Sequence, residues 1–511
     1  MKSERLRKIL IFAVFAFFVV LSYVFTGCDT GYFWQRRAHL ADIVTKMFPV
    51  DENYFSSLSA AMLVTVRMAV AGSGAGAILA LIAAPFCAFG FDNPKGLRVF
   101  LRGFIQVLRS FPTLITALTA TYIFGLGTFS GFLAIAIYTF AVVARLTYED
   151  AENAGTKAYK ALRASGAGHA VSFGRAVLPE ILSSYLTNVL YLLETNIRHS
   201  SILGYVGAGG IGLLLNEKIA WREYDKVGSI IAVLFVCVCI IELVSSFLAE
   251  IVTGQIQTSA GVKRLIAVLC AAAFVFCIAG VSGPDFSHTS KAIVRTMARG
   301  FVNPDFGLIA NLSKSGLPFL LVETVCIAFL GTIIGAAIAF PLAFFCTRRF
   351  FGIVPAAAFR VFSAAVRCVP FLVYGLIFIR VTGPGAPAGI LTLAVCSVGL
   401  LGKRFTEALE ALDMGGYKAL EAMGVPMLLR IRYGILPQLW PAFASAVLYR
   451  FDINVREASV LGIVGAGGIG APLVFAMNKY SWHTAGAILW GLILIVLAVD
   501  IFSGRIRRRL K

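Results

Sequence analysis

Long apolar runs alternate with short, mostly basic connections along this chain. Runs with no solvent-facing period predict membrane-spanning helices over 9–25, 60–86, 101–124, 129–144, 178–193 and 227–248. A second set follows over 265–281, 317–345, 364–379, 389–401, 436–448 and 485–501. A span needs about 20 predominantly apolar residues, so the pattern predicts an all-α membrane protein of about 12 transmembrane helices.

The connections orient these spans. Of 45 Lys and Arg, 27 fall in one alternating set of connections and 13 in the other. Basic residues are retained on the cytoplasmic side, which places both termini there. The first apolar run, with Lys2, Arg5, Arg7 and Lys8 before it and Thr26-Gly27-Cys28 after it, has the outline of a lipoprotein signal. Phe25 suits such cleavage poorly, and an uncleaved anchor is the expectation.

The chain is one unit written twice. Gly204-Tyr-Val-Gly-Ala-Gly-Gly-Ile-Gly212 recurs 258 residues later as Gly462-Ile-Val-Gly-Ala-Gly-Gly-Ile-Gly470, and 12 of 19 positions from 194 to 212 are identical to their partners. The same offset pairs Arg109 with Arg367, Pro112 with Pro370, Tyr159 with Tyr417, and Leu178-Pro179 with Leu436-Pro437. Upstream the register slips by one, with Gly72 and Gly76 facing Gly331 and Gly335. Such internal repeats settle architecture before any motif does. Two halves are expected, 1–254 and 255–511, as parallel six-helix repeats with a pathway between them.

Composition removes other classes. Only 14% of residues are charged and mean hydropathy is +0.85, far from the soluble average of about 25% charged. The net charge of +19 therefore describes membrane topology rather than nucleic-acid binding. Ten cysteines without CxxC spacing and five scattered histidines offer no metal or redox site, and no cofactor is expected.

The longest basic connections, near 149–175 and 407–433, each carry Ala-Leu-x3-Gly followed by Leu-Pro. In the first, Lys160, Ala161 and Leu162 lead to Gly166; in the second, Lys418, Ala419 and Leu420 lead to Gly424. This spacing predicts a short helix ended by a glycine with positive φ, a second helical stretch, and a proline in the first turn of the next span.

The spacing resembles the Glu-Ala-Ala-x3-Gly signature of ABC importer permeases, with lysine at the usual acidic position. Glu149, Glu152, Glu407 and Glu410 are expected to supply acidic contacts instead. The segments Glu194-x-Asn196-x-Arg198-x2-Ser201 and Asp452-x-Asn454-x-Arg456-x2-Ser459, each leading into GxVGAGGIG, resemble the permease of phosphonate ABC importers. The resemblance implies a type I ABC importer permease fold with two halves fused, in a bacterial cytoplasmic (inner) membrane. It implies two copies of a cytoplasmic ABC ATPase docking on the two loop helices, and an extracytoplasmic phosphonate-binding protein. The chain itself has no Walker motif and is not expected to be an enzyme.

Glu194 and Arg198, like Asp452 and Arg456, stand four apart and can meet on one helix face. One reading is an ion pair that neutralises two charges at the membrane edge. The other is a substrate pathway in which Arg198 and Arg456 attract a phosphorus oxyanion, with Asn196, Ser201, Asn454 and Ser459 beside them. The glycines Gly207, Gly209, Gly210, Gly212, Gly465, Gly467, Gly468 and Gly470 are expected to form a gate or a pathway lining, since no flanking strand or Lys makes them a nucleotide loop. Glu242 and Asp500, in the last span of each half, receive no role. Two alternatives stay open: a methionine or osmoprotectant permease, whose glycines are similar, and a self-contained secondary transporter, which would leave the duplicated loop helices unexplained.

Overall fold

The computed structural model describes residues 54–284 and 291–510, together with 13, 16–27, 31, 35–48 and 51. Cys28 and the basic residues 2–8 lie outside the described residues. Every regular element among the described residues is helical.

Eight helices are long and apolar enough to cross a membrane. Six are α1 (Phe55–Cys87), α4 (Thr128–Ala154), α8 (Tyr224–Thr253), α9 (Ala260–Ala279), α10 (Leu317–Cys346) and α13 (Ala386–Glu410); the others are α6 (Leu178–Leu203) and α17 (Trp482–Leu510). Two further expected spans are each broken in the middle. α2 (Lys95–Ser110) and α3 (Thr113–Phe124) meet at 93°, and α11 (Ile353–Cys368) and α12 (Phe371–Thr382) at 84°, giving up to ten spans. The break falls at Pro112 and Pro370, because proline lacks the N–H that continues a helix and drives the preceding residue extended; Phe111 has φ −77° and ψ 126°. The remaining two of the expected twelve are the first run, seen as the short apolar helix Ala16–Thr26, and α15 (Leu436–Leu461). α15 carries Arg450, Asp452, Arg456 and Glu457 and is not among the eight.

By contact the chain groups into Val44–Arg295 and into Met1–Ile43 with Thr296–Lys511. This division differs from that of the repeats. α9, which opens the second repeat, packs on α1 of the first: Phe274 fills the space over Gly74, and the Arg67 guanidinium lies 4.6 Å from the Phe276 ring. In the other unit the Phe25 ring packs, tilted, 4.7 Å from that of Phe319 of α10.

Within each unit the tightest crossing uses glycines four apart. A Cβ on Gly72 of α1 would lie 2.8 Å from Ile135 of α4, and one on Gly76 would lie 2.7 Å from Thr139. In the second repeat Gly331 and Gly335 of α10 meet Leu393 and Ala394 of α13 at 2.6 and 2.7 Å in the same way. Lipid tails are as apolar as leucine, so helices in a bilayer gain association from close backbone packing at small residues rather than from expelling water.

The loop helices α5 (Lys157–Ala164) and α14 (Gly415–Ala422) end as expected, with Gly166 at φ +88° and Gly424 at φ +71°. The N–H of Ala167 then bonds the Leu162 carbonyl at 3.1 Å, and that of Val425 bonds Leu420 at 3.1 Å. The next stretch does not break before the span. It runs through a wide turn at Phe173–Val177, and at Ile431–Ile435 in the second repeat, straight into α6 and α15. Pro179 and Pro437 remove one N–H from the ladder, and the preceding turn widens where that bond is missing.

Candidate functional site

The loop helices present one face to solvent. Lys160, Ala161, Lys418 and Ala419 are exposed, while Leu162 and Leu420 are half-buried against their own units. Tyr159 is wholly buried, its hydroxyl 2.7 Å from His169 Nδ1 and its ring edge-on to Phe91. Arg163 ties α5 to the loop before α2 through Asp92 at 2.8 Å. That hydrogen bond holds the Asp92 carboxyl below its usual value. The second segment exposes Met423, Met427 and Leu428 where the first has Ser165, His169 and Ala170.

Of the carboxylates expected to face a partner, two are committed inside the units. Glu152 pairs with Arg102 and accepts the Phe89 N–H at 2.7 Å, while Arg102 Nε donates to the Cys87 carbonyl at 2.7 Å. Glu410 pairs with Arg360, whose Nε donates to the Cys346 carbonyl at 2.8 Å. Glu149 and Glu407 lie against Arg145 and Arg404 of their own helices at 2.8 and 3.4 Å. The Arg–Glu partners are 50 residues apart, so spacing alone did not pair them; their recurrence at the repeat offset was the available signal.

At the far end of α6 and α15, the four-residue spacings close as ion pairs. Arg198 Nη2 stands 2.8 Å from Glu194 Oε1, and Arg456 pairs with Asp452. Arg198 Nη1 is buried with no acceptor among the described residues, an unmade bond that costs about 1–3 kcal/mol or more. Asn196 and Asn454 bond to their own units through Nδ2, while Oδ1 of each is buried with no partner among the described residues. Both are fully buried, and both Nδ2 protons of each are engaged: Asn196 with Ser73 at 2.8 Å and Thr139 at 2.7 Å, Asn454 with Thr332 at 2.7 Å and Ser397 at 2.9 Å. Each asparagine thus joins three helices of its own unit. Ser201 and Ser459, also buried, donate to the carbonyls of Arg198 and Arg456, at 2.6 Å each.

The glycine loops are clamped rather than loose. The Ile211 N–H donates to Thr65 Oγ1 of α1 at 2.8 Å, and the Gly127 N–H to the Gly207 carbonyl at 3.1 Å. Ile469 with Thr324 at 3.0 Å and Gly385 with Gly465 at 2.8 Å repeat both bonds. Gly207, Gly209 and Gly210, like Gly465, Gly467 and Gly468, hold φ between +75° and +92°, a region that costs a side-chain-bearing residue. Gly212 and Gly470 lie directly on the carbonyls of Ser201 and Ser459, leaving no room for a Cβ.

One buried pair escaped the sequence reading. Arg450 Nη2 meets Glu457 Oε2 at 2.8 Å, and Arg450 Nε donates to Ser397 at 3.0 Å. Their counterparts in the first repeat are Leu192 and His199, so the repeat offered no signal.

The family model for the binding-protein-dependent transport system inner membrane component matches residues 72–257 and again 331–511. The phosphate-import permease protein PhnE of Mycolicibacterium smegmatis is 29% identical over 459 residues, covering 87% of this chain and 84% of that one. The phosphite transport system permease protein PtxC of Stutzerimonas stutzeri is 34% identical over 224 residues, 43% of this chain and 78% of its own. A putative cryptic phosphonate transport system permease protein of Escherichia coli is 40% identical over 119 residues, 23% of this chain and 98% of its own.

Proposed function

Because the chain belongs to the family of binding-protein-dependent transport system inner membrane components, matched twice along its length, we propose that it is the translocation subunit of an importer for phosphonates or related phosphorus oxyanions. It is a multi-pass transport component and not an enzyme, and a separate ATPase supplies the energy. The observation that most supports the substrate class is the 29% identity, over 87% of the chain, with a phosphate-import permease.

On this reading two ATPase copies dock on the exposed faces of α5 and α14, at Lys160 and Lys418. The termini and loop helices are cytoplasmic, as the excess of basic residues in those connections supports. A binding protein delivers the anion to the other side, where Arg198 and Arg456 attract it and the clamped glycine loops wall its route. An ion-paired guanidinium keeps N–H groups to share, so pairing with Glu194 and Asp452 is compatible with a role toward substrate.

The test is uptake of radiolabelled phosphate, phosphite and 2-aminoethylphosphonate into proteoliposomes holding the chain with its cognate ATPase and binding protein. ATP-dependent uptake of at least one, abolished by an inactive ATPase, is the expected result. Uptake driven by an ion gradient without the ATPase, or transport of methionine alone, would overturn the proposal.

A further inference from the structure

We infer that His199 is a specificity-determining residue, donating from its imidazole to the phosphorus oxyanion that Arg198 attracts, a contact the second repeat lacks; this rests on the function proposed above.

Near its glycine-loop end, α6 leaves Tyr191, Leu193, Thr195, Arg198 and His199 incompletely covered, and all but Leu193 form one narrow stripe. Leu192, Glu194, Asn196, Ile197, Ser200 and Ser201 between them are buried. The spacing of four, three and one is that of one helix face. The stripe carries side chains that the unit leaves partly uncovered. Two of them, adjacent in sequence, are nitrogen donors.

The His199 ring is held at one edge. Nδ1 lies 3.3 Å from the hydroxyl of Thr113, the first residue of α3 after the proline break, and the ring sits 5.5 Å from that of Tyr138. Engaging Nδ1 orients the ring and leaves Nε2 at the opposite edge; with the Thr113 hydroxyl donating to Nδ1, the imidazole proton sits on Nε2. Beside it Arg198 has Nη2 on Glu194 and Nη1 buried without an acceptor among the described residues. A phosphorus oxyanion, with three acceptor oxygens around one centre, matches a guanidinium and an imidazole N–H carried side by side.

The corresponding stripe of α15 is Tyr449, Ile453, Arg456 and Glu457. The tyrosine and arginine recur, but a carboxylate replaces the imidazole. A carboxylate there would repel an oxyanion, and this one is compensated from behind by Arg450, itself bonded to Ser397. The first repeat has Leu192 at the Arg450 position and could not compensate an acid at 199. The two arginines are thus equal in sequence but unequal in surroundings, and the Arg198 side is the one built to bind an anion.

The experiment compares the parent complex with His199→Gln, His199→Leu and His199→Glu in the same proteoliposomes, reading KM and maximal rate for phosphate and 2-aminoethylphosphonate. Melting temperature and basal ATPase rate serve as folding controls. His199→Gln, which keeps a donor, is expected to hold KM within threefold. His199→Leu is expected to raise KM at least fivefold with little loss of maximal rate, and His199→Glu to cut uptake at least tenfold. Parental KM in both the Leu and Glu variants, or in the Leu variant alone if the Glu variant does not assemble, would overturn the inference and leave the importer reading standing. A parent complex that moves no phosphorus oxyanion would instead overturn both.

Discussion

The guanidinium of Arg450 and the carboxylate of Glu457 meet at 2.8 Å, seven residues apart on α15, with the two side chains only 3% and 17% exposed. Seven residues is two helical turns, so both lie on one face. Removing one member strands the other in a poorly solvated site, typically at about 3–5 kcal/mol. Arg450→Leu is expected to fall toward the lower end of that range, because Glu457 keeps some exposure. The double change Arg450→Leu with Glu457→His, which installs the residues of the first repeat, is expected to recover most of the loss. Thermal unfolding of the detergent-solubilised protein checks both.

The asparagine crossings predict a stability effect in each repeat. Asn196→Ala or Asn454→Ala removes two interhelical hydrogen bonds. Each such bond is worth about 0.6 kcal/mol on average in a membrane protein and about 1.7 at most. A loss of about 1–3 kcal/mol is expected, with the uptake KM of the surviving protein unchanged. A raised KM at unchanged stability would return the asparagines to the substrate route.

Glycine packing predicts a sharp positional contrast. Gly76→Leu and Gly335→Leu force side chains into backbone and side-chain contacts of α4 and α13, while Gly96 on α2 has nothing within 4 Å of its would-be Cβ. Overpacking typically costs about 1–3 kcal/mol and sometimes more. The first two changes are expected to lower both yield and melting temperature, with Gly96→Ala indistinguishable from the parent.

The Asp92–Arg163 pair predicts a pH dependence at the first loop helix. A carboxyl held below its usual value by Arg163 contributes fully above that usual value, and the contribution is lost as pH falls through the lowered one. Hydrogen exchange over 157–168, corrected for intrinsic rates, is expected to quicken on acidification below about pH 4. Asp92→Asn is expected to show the faster exchange already at pH 7 and no acid step. An identical acid step in the variant would exclude the pair as its origin.

Much of this was legible from periodicity. The offset of 258 residues, the positive φ of Gly166 and Gly424, and the Glu194–Arg198 ion pair each follow from short-range spacing on a helix or from recurrence. The breaks at Pro112 and Pro370 are not legible in the hydropathy pattern, which averages over a bend that one missing N–H creates. By sequence a polar residue in a span reads as a substrate donor as readily as a packing group, because its partners are not local; Ser73, Thr139, Thr332 and Ser397 lie 57 to 123 residues from the asparagines they bond.

Composition, charge placement and the doubled glycine motif were enough to establish a membrane chain of two like halves, because such features depend on residue type and local order alone. Which polar groups remain uncommitted depended on tertiary structure. Asn196 and Arg198 are two residues apart in sequence, yet one turns inward to hydroxyls of α1 and α4, and the other pairs with Glu194 on a less covered face, its Nη1 without an acceptor among the described residues. A helix sends such neighbours to different faces, and only the packing of other helices around it decides which face is already satisfied.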